Sequence, residues 1–362
     1  MIAKKGEKEK KQAITYDIEL VKPDWLAGTE RRFFNFIKKL SDKDKIAIIS
    51  HTDADGLLAA KVASKVIGTN NIRFLGYPEL NEDLINKLRA EKVNKIFMND
   101  LNWANKKLLR KAEKFAKIAI VDHHTVETDY NSPKTVFMNA PGFCAAYLNY
   151  YLFSKIKDLG KIDWLVACAS VADWMFVKNE AWLIKIYKKY GDEFSTMERK
   201  LKSGKFWDLQ YNISLAIIFF KDNLRKVFDS FGEDFGDIGD LEKYAKIIDS
   251  EVNKAISDFY IQKEDIKDGY FIEFNLEYPV EAVVINLLSS KNLNKTFIVG
   301  KQEGNVYKIS ARRQDGNVDL PKMLKNLVSG FERSSAGGHI KAAGAHVLIK
   351  DKEKFKERIR NL

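Results

Sequence analysis

Ile46-Ala-Ile-Ile-Ser-His-Thr-Asp-Ala-Asp-Gly56 runs an apolar segment directly into a cluster of ligating side chains. Ile46–Ile49 reads as a buried strand. Gly56–Val66 reads as a helix, because Leu57, Leu58, Val62 and Val66 recur at helical spacing. The alternation continues outward from this pair. Further strands are expected over Ile72–Leu75, Lys95–Met98 and Ile118–Val121, and helices over Asp83–Glu91 and Lys106–Phe115. Such β-α alternation implies a parallel sheet with helices on both faces, in which sites form at the carboxyl ends of strands.

The remainder is organised differently. Gly142–Phe228 reads mostly helical, with candidates at Ala145–Ile156, Asp163–Val171, Trp182–Tyr190 and Gln210–Phe220. A long helix, a connector, is expected over Leu241–Ile266. Beyond it, strands at Gly269–Phe274, Thr296–Gly300, Val306–Ala311 and Ala345–Ile349 and a helix at Pro279–Leu288 predict a smaller α/β domain. Gly337-Gly338 and Gly344 should flank a loop before the last of these strands.

Composition bounds the function. The 362 residues imply two or three domains, and 45% hydrophobic with 31% charged residues is an ordinary globular balance. Net charge is +11, suggesting an anionic partner. Asp222–Asp268 carries 13 acidic and 7 basic residues, so this stretch is −6 inside a +17 remainder and is a candidate protein-docking surface. Two cysteines, Cys144 and Cys168, exclude a disulfide framework and a four-cysteine zinc site. No membrane-length apolar run or secretory signal is read, which makes the cytoplasm the expected location. Met1–Gln12 reads as a basic tail.

Four of the five histidines fall in motifs. His51, Asp53 and Asp55 alternate with small residues, and in extended backbone they would share one face. Asp100 follows the third strand, and Asp122-His123-His124 follows the fourth. Asp173 ends an apolar run. His339 lies in Gly337-Gly338-His339-x-x-Ala342-Ala343-Gly344, and only His346 has no chemical role. Trp103, Trp164, Trp174, Trp182 and Trp207 could stack bases, but most are expected to pack in the core; Trp103, directly after the second motif, is the one to test for stacking.

His51-x-Asp53-x-Asp55-Gly56, Asp100, Asp122-His123-His124 and Asp173 together resemble the four motifs of the DHH phosphoesterase superfamily, and the His339 segment resembles the signature of its DHHA1 domain. The resemblance covers Lys45–Ala181 and Gly269–Arg358, and its nearest members are archaeal RecJ-like single-strand exonucleases. It implies a parallel-sheet DHH domain plus a smaller α/β DHHA1 domain, joined by a helical connector, with the active site in the interdomain cleft. The domains would then be residues 1–44 (basic tail and N-terminal helix), 45–230 (catalytic domain with helical extension), 231–268 (acidic helical linker) and 269–362 (substrate-binding domain). It further implies two divalent ions, Mn2+ preferred and Mg2+ an option. One would be held by His51, Asp53 and Asp100, the other by Asp55, Asp100, His123 and Asp173. Asp122 would orient an imidazole or a water, and His124, with Asp122, would act in catalysis. His124, Ser310, Arg312 or Arg313, Gly337, Gly338 and His339 would contact phosphate, and Lys341 could assist. The activity implied is two-metal hydrolysis at the ends of single-stranded DNA or RNA. Alternatives are short oligonucleotides, dinucleotides or 3′-phosphoadenosine 5′-phosphate as substrate, or a scaffold subunit in replication or repair.

Overall fold

The computed structural model describes residues 18–103, 105–197 and 201–362, so the expected basic tail lies outside the described residues. The chain divides into two compact units. The first runs to Ile217 and takes in Asp222–Gly239, and the second comprises Ile218–Lys221 and Asp240–Leu362. Of the segment expected as a linker, residues to 239 therefore fall in the first unit and the rest in the second.

In the first unit, strands β1 (Ile46–Ser50), β2 (Ile72–Phe74), β3 (Lys95–Asn99), β4 (Lys117–Asp122) and β5 (Thr135–Asn139) form an all-parallel sheet ordered β2-β1-β3-β4-β5. The first four are the strands read from the sequence, and β5 extends them. Apart from the first residues of β1, β3 and β4, the strands from β1 to β5 other than β2 are buried along their length. This is why they read as continuous apolar runs. Crossovers are helices: α1 (Glu30–Ile37) precedes the sheet, and α2 (Ala54–Ile67), α3 (Glu82–Ala90) and α4 (Lys106–Ala112) follow β1, β2 and β3. The strand order reverses at β1 and β3, so the point where an open α/β sheet offers a crevice lies at their carboxyl ends.

The first motif is not extended as expected. Asp53 is the N-cap of α2, its carboxylate accepting from the Gly56 amide at 2.9 Å, and Asp55 lies in the first helical turn. The strand–turn–helix corner, rather than a two-residue alternation, brings His51, Asp53 and Asp55 together. Gly56 is required by packing: a Cβ there would lie 2.5 Å from the His51 carbonyl oxygen. The helices α5 (Ala145–Phe153) and α6 (Asp163–Ala172) pack with α2 as a buried layer. Helices α7 (Glu180–Lys189), α8 (Lys205–Phe219) and α9 (Leu224–Asp229) complete the unit, apart from the last residues of α8, which belong to the second.

In the second unit, β6 (Glu264–Ile266), β7 (Gly269–Glu273), β8 (Thr296–Glu303), β9 (Val306–Arg312), β10 (Ser335–His339) and β11 (Ala342–Leu348) form a mixed sheet ordered β10-β11-β9-β8-β7-β6. Only β7 and β8 pair in parallel. Helix α10 (Leu241–Gln262) buries Leu241, Ala245, Ile248, Val252, Ala255 and Phe259 along one stripe and packs on α11 (Glu281–Lys291). The expected connector is therefore a packed element of this unit. It also stops at Gln262, because the last residues assigned to it form β6 and pair with β7. Helices α12 (Leu320–Val328) and α13 (Lys352–Arg360) cover the face of Tyr307, Ile309, Ala311, Ala343 and Val347. The expected glycine loop is a hairpin: Gly337 pairs with Gly344 and His339 with Ala342, leaving Ile340 and Lys341 as the turn. Small residues hide a strand from pattern reading because they carry neither alternation nor β propensity.

Candidate metal centre

Register sets the site. Ser50, Asn99 and Val121 are mutual partners across β1, β3 and β4. The next residues, His51, Asp100 and Asp122, therefore emerge abreast from three neighbouring strands. Asp100 sits at φ +56°, a left-handed conformation that a non-glycine residue rarely adopts and that Asp tolerates better than most. Asp173 arrives from elsewhere, as the C-cap of α6.

Three sets of ligand atoms converge, each within 4.8 Å of one another: His51, Asp53 and Asp100; Asp55, His123 and Asp173; and Asp100, His123 and His124. Asp100 is shared. His51 Nδ1 lies 2.8 Å from Asp53 Oδ2 and 3.4 Å from Asp100 Oδ2. His123 Nε2 lies 3.1 Å from Asp100 Oδ1, 3.5 Å from Asp173 Oδ2 and 3.9 Å from Asp55 Oδ2. Asp55 also accepts the Ala145 and Ala146 amides, at 2.6 and 2.8 Å, from the start of α5.

The electrostatics are those of crowded negative charge. Burial, then repulsion by Asp100 and Asp173, pushes the Asp55 carboxyl well up. Burial and Asp53 raise Asp100, and burial, against the pull of His123 and with repulsion from Asp100 and Asp53, lifts Asp173 to about 7. Burial opposes the charged forms of Asp53 and His51 as well. Their hydrogen bond and mutual attraction outweigh it, taking Asp53 down to about 2, and hydrogen bonds first to Asp100 and then to Asp53 take His51 up to about 10. His123 rises to about 10, burial being outweighed by Asp100, Asp55 and Asp173. Asp173 Oδ2 is buried with no hydrogen-bond partner. His123 Nε2 approaches this oxygen at 3.5 Å without a hydrogen bond, and a buried carboxylate oxygen left so among other carboxylates is destabilising, a deficit that a divalent cation would relieve. Carboxylate and imidazole donors without thiolate suit Mn2+ or Mg2+.

Asp122 lies outside the three ligand sets. Its buried carboxylate is held ionised, despite burial, by His124 Nδ1 at 2.7 Å, with Asn102 donating at 2.9 Å. It raises the His124 pKa in turn. Nδ1 being engaged, Nε2 is the nitrogen left to meet a ligand, and the side chain is 39% exposed.

Other residues here were not singled out by sequence. Tyr77 follows β2 and places its ring 6.1 Å from His51 and 6.3 Å from His124. Asn139, ending β5, donates to the Asp122 and His124 carbonyls at 3.1 and 3.0 Å. Both stand at carboxyl ends of strands, which was the available signal. Trp103, the ring singled out as a stacking candidate, is fully buried in the core against the sheet, the packing role expected of most of these tryptophans. An apolar ring between Leu101 and the following helix packs inward where β3 turns away.

In the second unit, opposed residues of antiparallel strands share a face. Ser310, Gly344 and Gly337 form one row across β9, β11 and β10, and Arg312, Ala342 and His339 form the next. Ser310 and His339 are exposed, and Arg312 is half-buried, donating to Asn286 Oδ1 at 2.9 Å. Gly338, at φ +133°, has no room for a Cβ, which would lie 2.4 Å from the Ala342 carbonyl oxygen. Arg313 does not join this face. It is buried, with its guanidinium committed to Asp315 (2.8 and 3.1 Å) and to Thr296 Oγ1 (3.3 Å). Lys341 lies exposed in the hairpin turn, and His346 Nδ1 meets Ser335 Oγ at 3.1 Å.

Residues 45–173 match the family model described as "DHH family, N-terminal domain". Over those residues the chain is similar to that domain. Its fold is similar to that of RecJ from Thermus thermophilus in complex with Mn2+ (TM-score 0.68, 17% identity, 96% of this chain), although this chain spans only 55% of that one. A structure of exonuclease RecJ bound to manganese is similar over 92% of this chain and 94% of its own (TM-score 0.65, 16% identity). CDC45 from Entamoeba histolytica shares the fold at TM-score 0.60 and 10% identity, over 92% of this chain and 98% of that one. The fold is thus RecJ-like, an α/β parallel-sheet domain followed by a mixed-sheet domain. No curated protein matches the chain. Among the described residues, no helix is long and apolar enough to cross a membrane.

Proposed function

We propose that the chain is a metal-dependent phosphodiesterase that releases mononucleotides from the ends of single-stranded DNA or RNA. The supporting observation is the convergence of Asp53, Asp55, Asp100 and Asp173 with His51 and His123, Asp100 being common to two of the sets. His51, Asp53 and Asp100 would hold one divalent ion, and Asp55, Asp100, His123 and Asp173 a second, Mn2+ preferred. When bound, such a pair neutralises phosphate charge and lowers the pKa of water.

The chain's own groups supply the rest. Asp122 keeps His124 protonated, so His124 offers a cationic donor to a non-bridging phosphate oxygen. Ser310, Arg312 and His339 would bind phosphate where β9, β11 and β10 lie side by side, with Gly337, Gly338 and Gly344 leaving backbone accessible. Arg313 has no part in this reading. The +17 carried outside the acidic segment favours a polyanionic substrate.

An end-labelled degradation ladder on DNA and RNA in parallel, with Mn2+ titrated, tests the reading. Mononucleotide release that needs Mn2+ is expected. No cleavage of either polymer would overturn it. A rate that peaks on two- to five-residue substrates would favour the short-oligonucleotide alternative. A scaffold role draws on the acidic segment, and the complete ligand set argues against an idle subunit.

A further inference from the structure

Helix α6 ends in a motif that normally uses glycine. The Asp173, Trp174 and Met175 amides donate to the carbonyls of Ala169 (3.0 Å), Val171 (3.2 Å) and Ser170 (3.0 Å). The last two bonds are those of a Schellman cap, whose first residue past the cap is left-handed and most often Gly. Trp174 occupies that position at φ +58°. Its side chain is not buried in compensation: Trp174 is 48% exposed, whereas Trp103, Trp164 and Trp182 are at most 1% exposed. A strained backbone that displays a large ring to solvent, one residue from Asp173, is explained by a ligand more readily than by packing. The ring's neighbours fit an anionic aromatic ligand. Lys202 Nζ lies 5.6 Å from the ring centroid and Phe176 6.0 Å away.

We propose that Trp174 is a stacking platform for a nucleobase of the substrate, placed by the α6 cap beside the phosphate that Asp173 serves. The inference rests on the nucleic-acid reading above and names what that reading leaves open, a residue that senses the base. Every base has a π face, so the platform is tolerant of sequence and selective against a missing base.

Affinity measured apart from turnover tests it. A labelled single-stranded pentanucleotide and its abasic counterpart are titrated by anisotropy in Ca2+, strand integrity being checked on a gel. The proteins are wild type, Trp174→Gly and Trp174→Phe. Glycine suits the backbone, so Trp174→Gly should fold with unchanged Mn2+ affinity. It should bind the pentanucleotide roughly 5- to 150-fold more weakly, the range one base–aromatic stack supplies, and the abasic strand as wild type does. Trp174→Phe should recover most of the loss. Equal pentanucleotide affinity in wild type and Trp174→Gly, equal loss on the abasic strand, or no binding by wild type overturns the proposal. Hydrolysis assayed in parallel separates the two ideas: binding through Trp174 without cleavage sinks only the phosphodiesterase reading, and cleavage without a Trp174 effect sinks only the platform.

Discussion

At the carboxyl edge of the parallel sheet, four carboxylates face three imidazoles in largely buried space, and three of the carboxyls are pushed up by burial and by one another. Across β9, β11 and β10 of the mixed sheet, Ser310, Arg312 and His339 stand among glycine and alanine. The first region stores unfavourable charge that cations relieve. The second is sparse and cationic, and leaves backbone and side-chain donors accessible to an anion. Crowding of one sign and clearance with the other sign are two different preparations for binding, and each can be broken separately.

The largest effect is expected at Asp100. Asp100→Asn keeps a residue that tolerates φ +56° but removes the carboxylate shared by two ligand sets. Activity should fall more than about 100-fold, beyond the loss typical of groups that only support a ligand. The metal-free variant should melt higher than metal-free wild type, since repulsion is relieved. A lower melting point in chelator would show that Asp100 is not the crowded group described.

Metal and pH follow next. Mn2+ at 100 times its dissociation constant should stabilise wild type by about 2.7 kcal/mol, read as a rise in melting temperature that Asp100→Asn abolishes. In chelator the folded protein holds a proton on Asp173 up to about pH 7, whereas the unfolded chain releases it near 3.8. The folded state binds more protons across that window, so stability should decline from about pH 4 to 7. Asp173→Asn should flatten the decline; an unchanged slope would assign it elsewhere.

Asp122→Asn should cost about 10- to 100-fold in turnover with Mn2+ affinity kept, because it acts through His124 rather than on the ions. The loss should grow as pH rises, since an unassisted His124 gives up its proton earlier. Loss of Mn2+ affinity would make Asp122 a ligand instead.

The smallest effects divide the two adjacent arginines. Arg312→Ala should raise KM about tenfold or more, the worth of a charged hydrogen bond to phosphate, with melting little changed. Arg313→Ala should do the reverse, lowering stability by about 1–3 kcal/mol through the loss of Asp315 and Thr296 with KM unmoved. Equal KM effects would return Arg313 to the phosphate face.

How much was legible differs by region. The β-α alternation marked β1 to β4 of the first sheet, because a parallel strand is a short apolar run ending in a turn; β5 was not legible. Tyr77 and Asn139 were missed because neither residue type announces ligation. Trp103 beside one motif is buried and Trp174 beside another is half-exposed, since distance in sequence from a motif does not say which way a ring points. The β10 strand was taken for a loop because Ser335-Ala-Gly-Gly-His339 has no side-chain pattern to read.

The sequence alone determined the β-α alternation of the first unit and the identity of the candidate ligating groups, since periodicity and residue chemistry are local. Tertiary structure decided what locality cannot reach. It made Asp53 and Asp55 part of a helix corner, shared Asp100 between two sets, brought Asp173 from a distant helix and buried Arg313 beside a half-exposed Arg312. Convergence of charges, and therefore their pKa shifts, depends on distances across the fold, and only packing sets those distances.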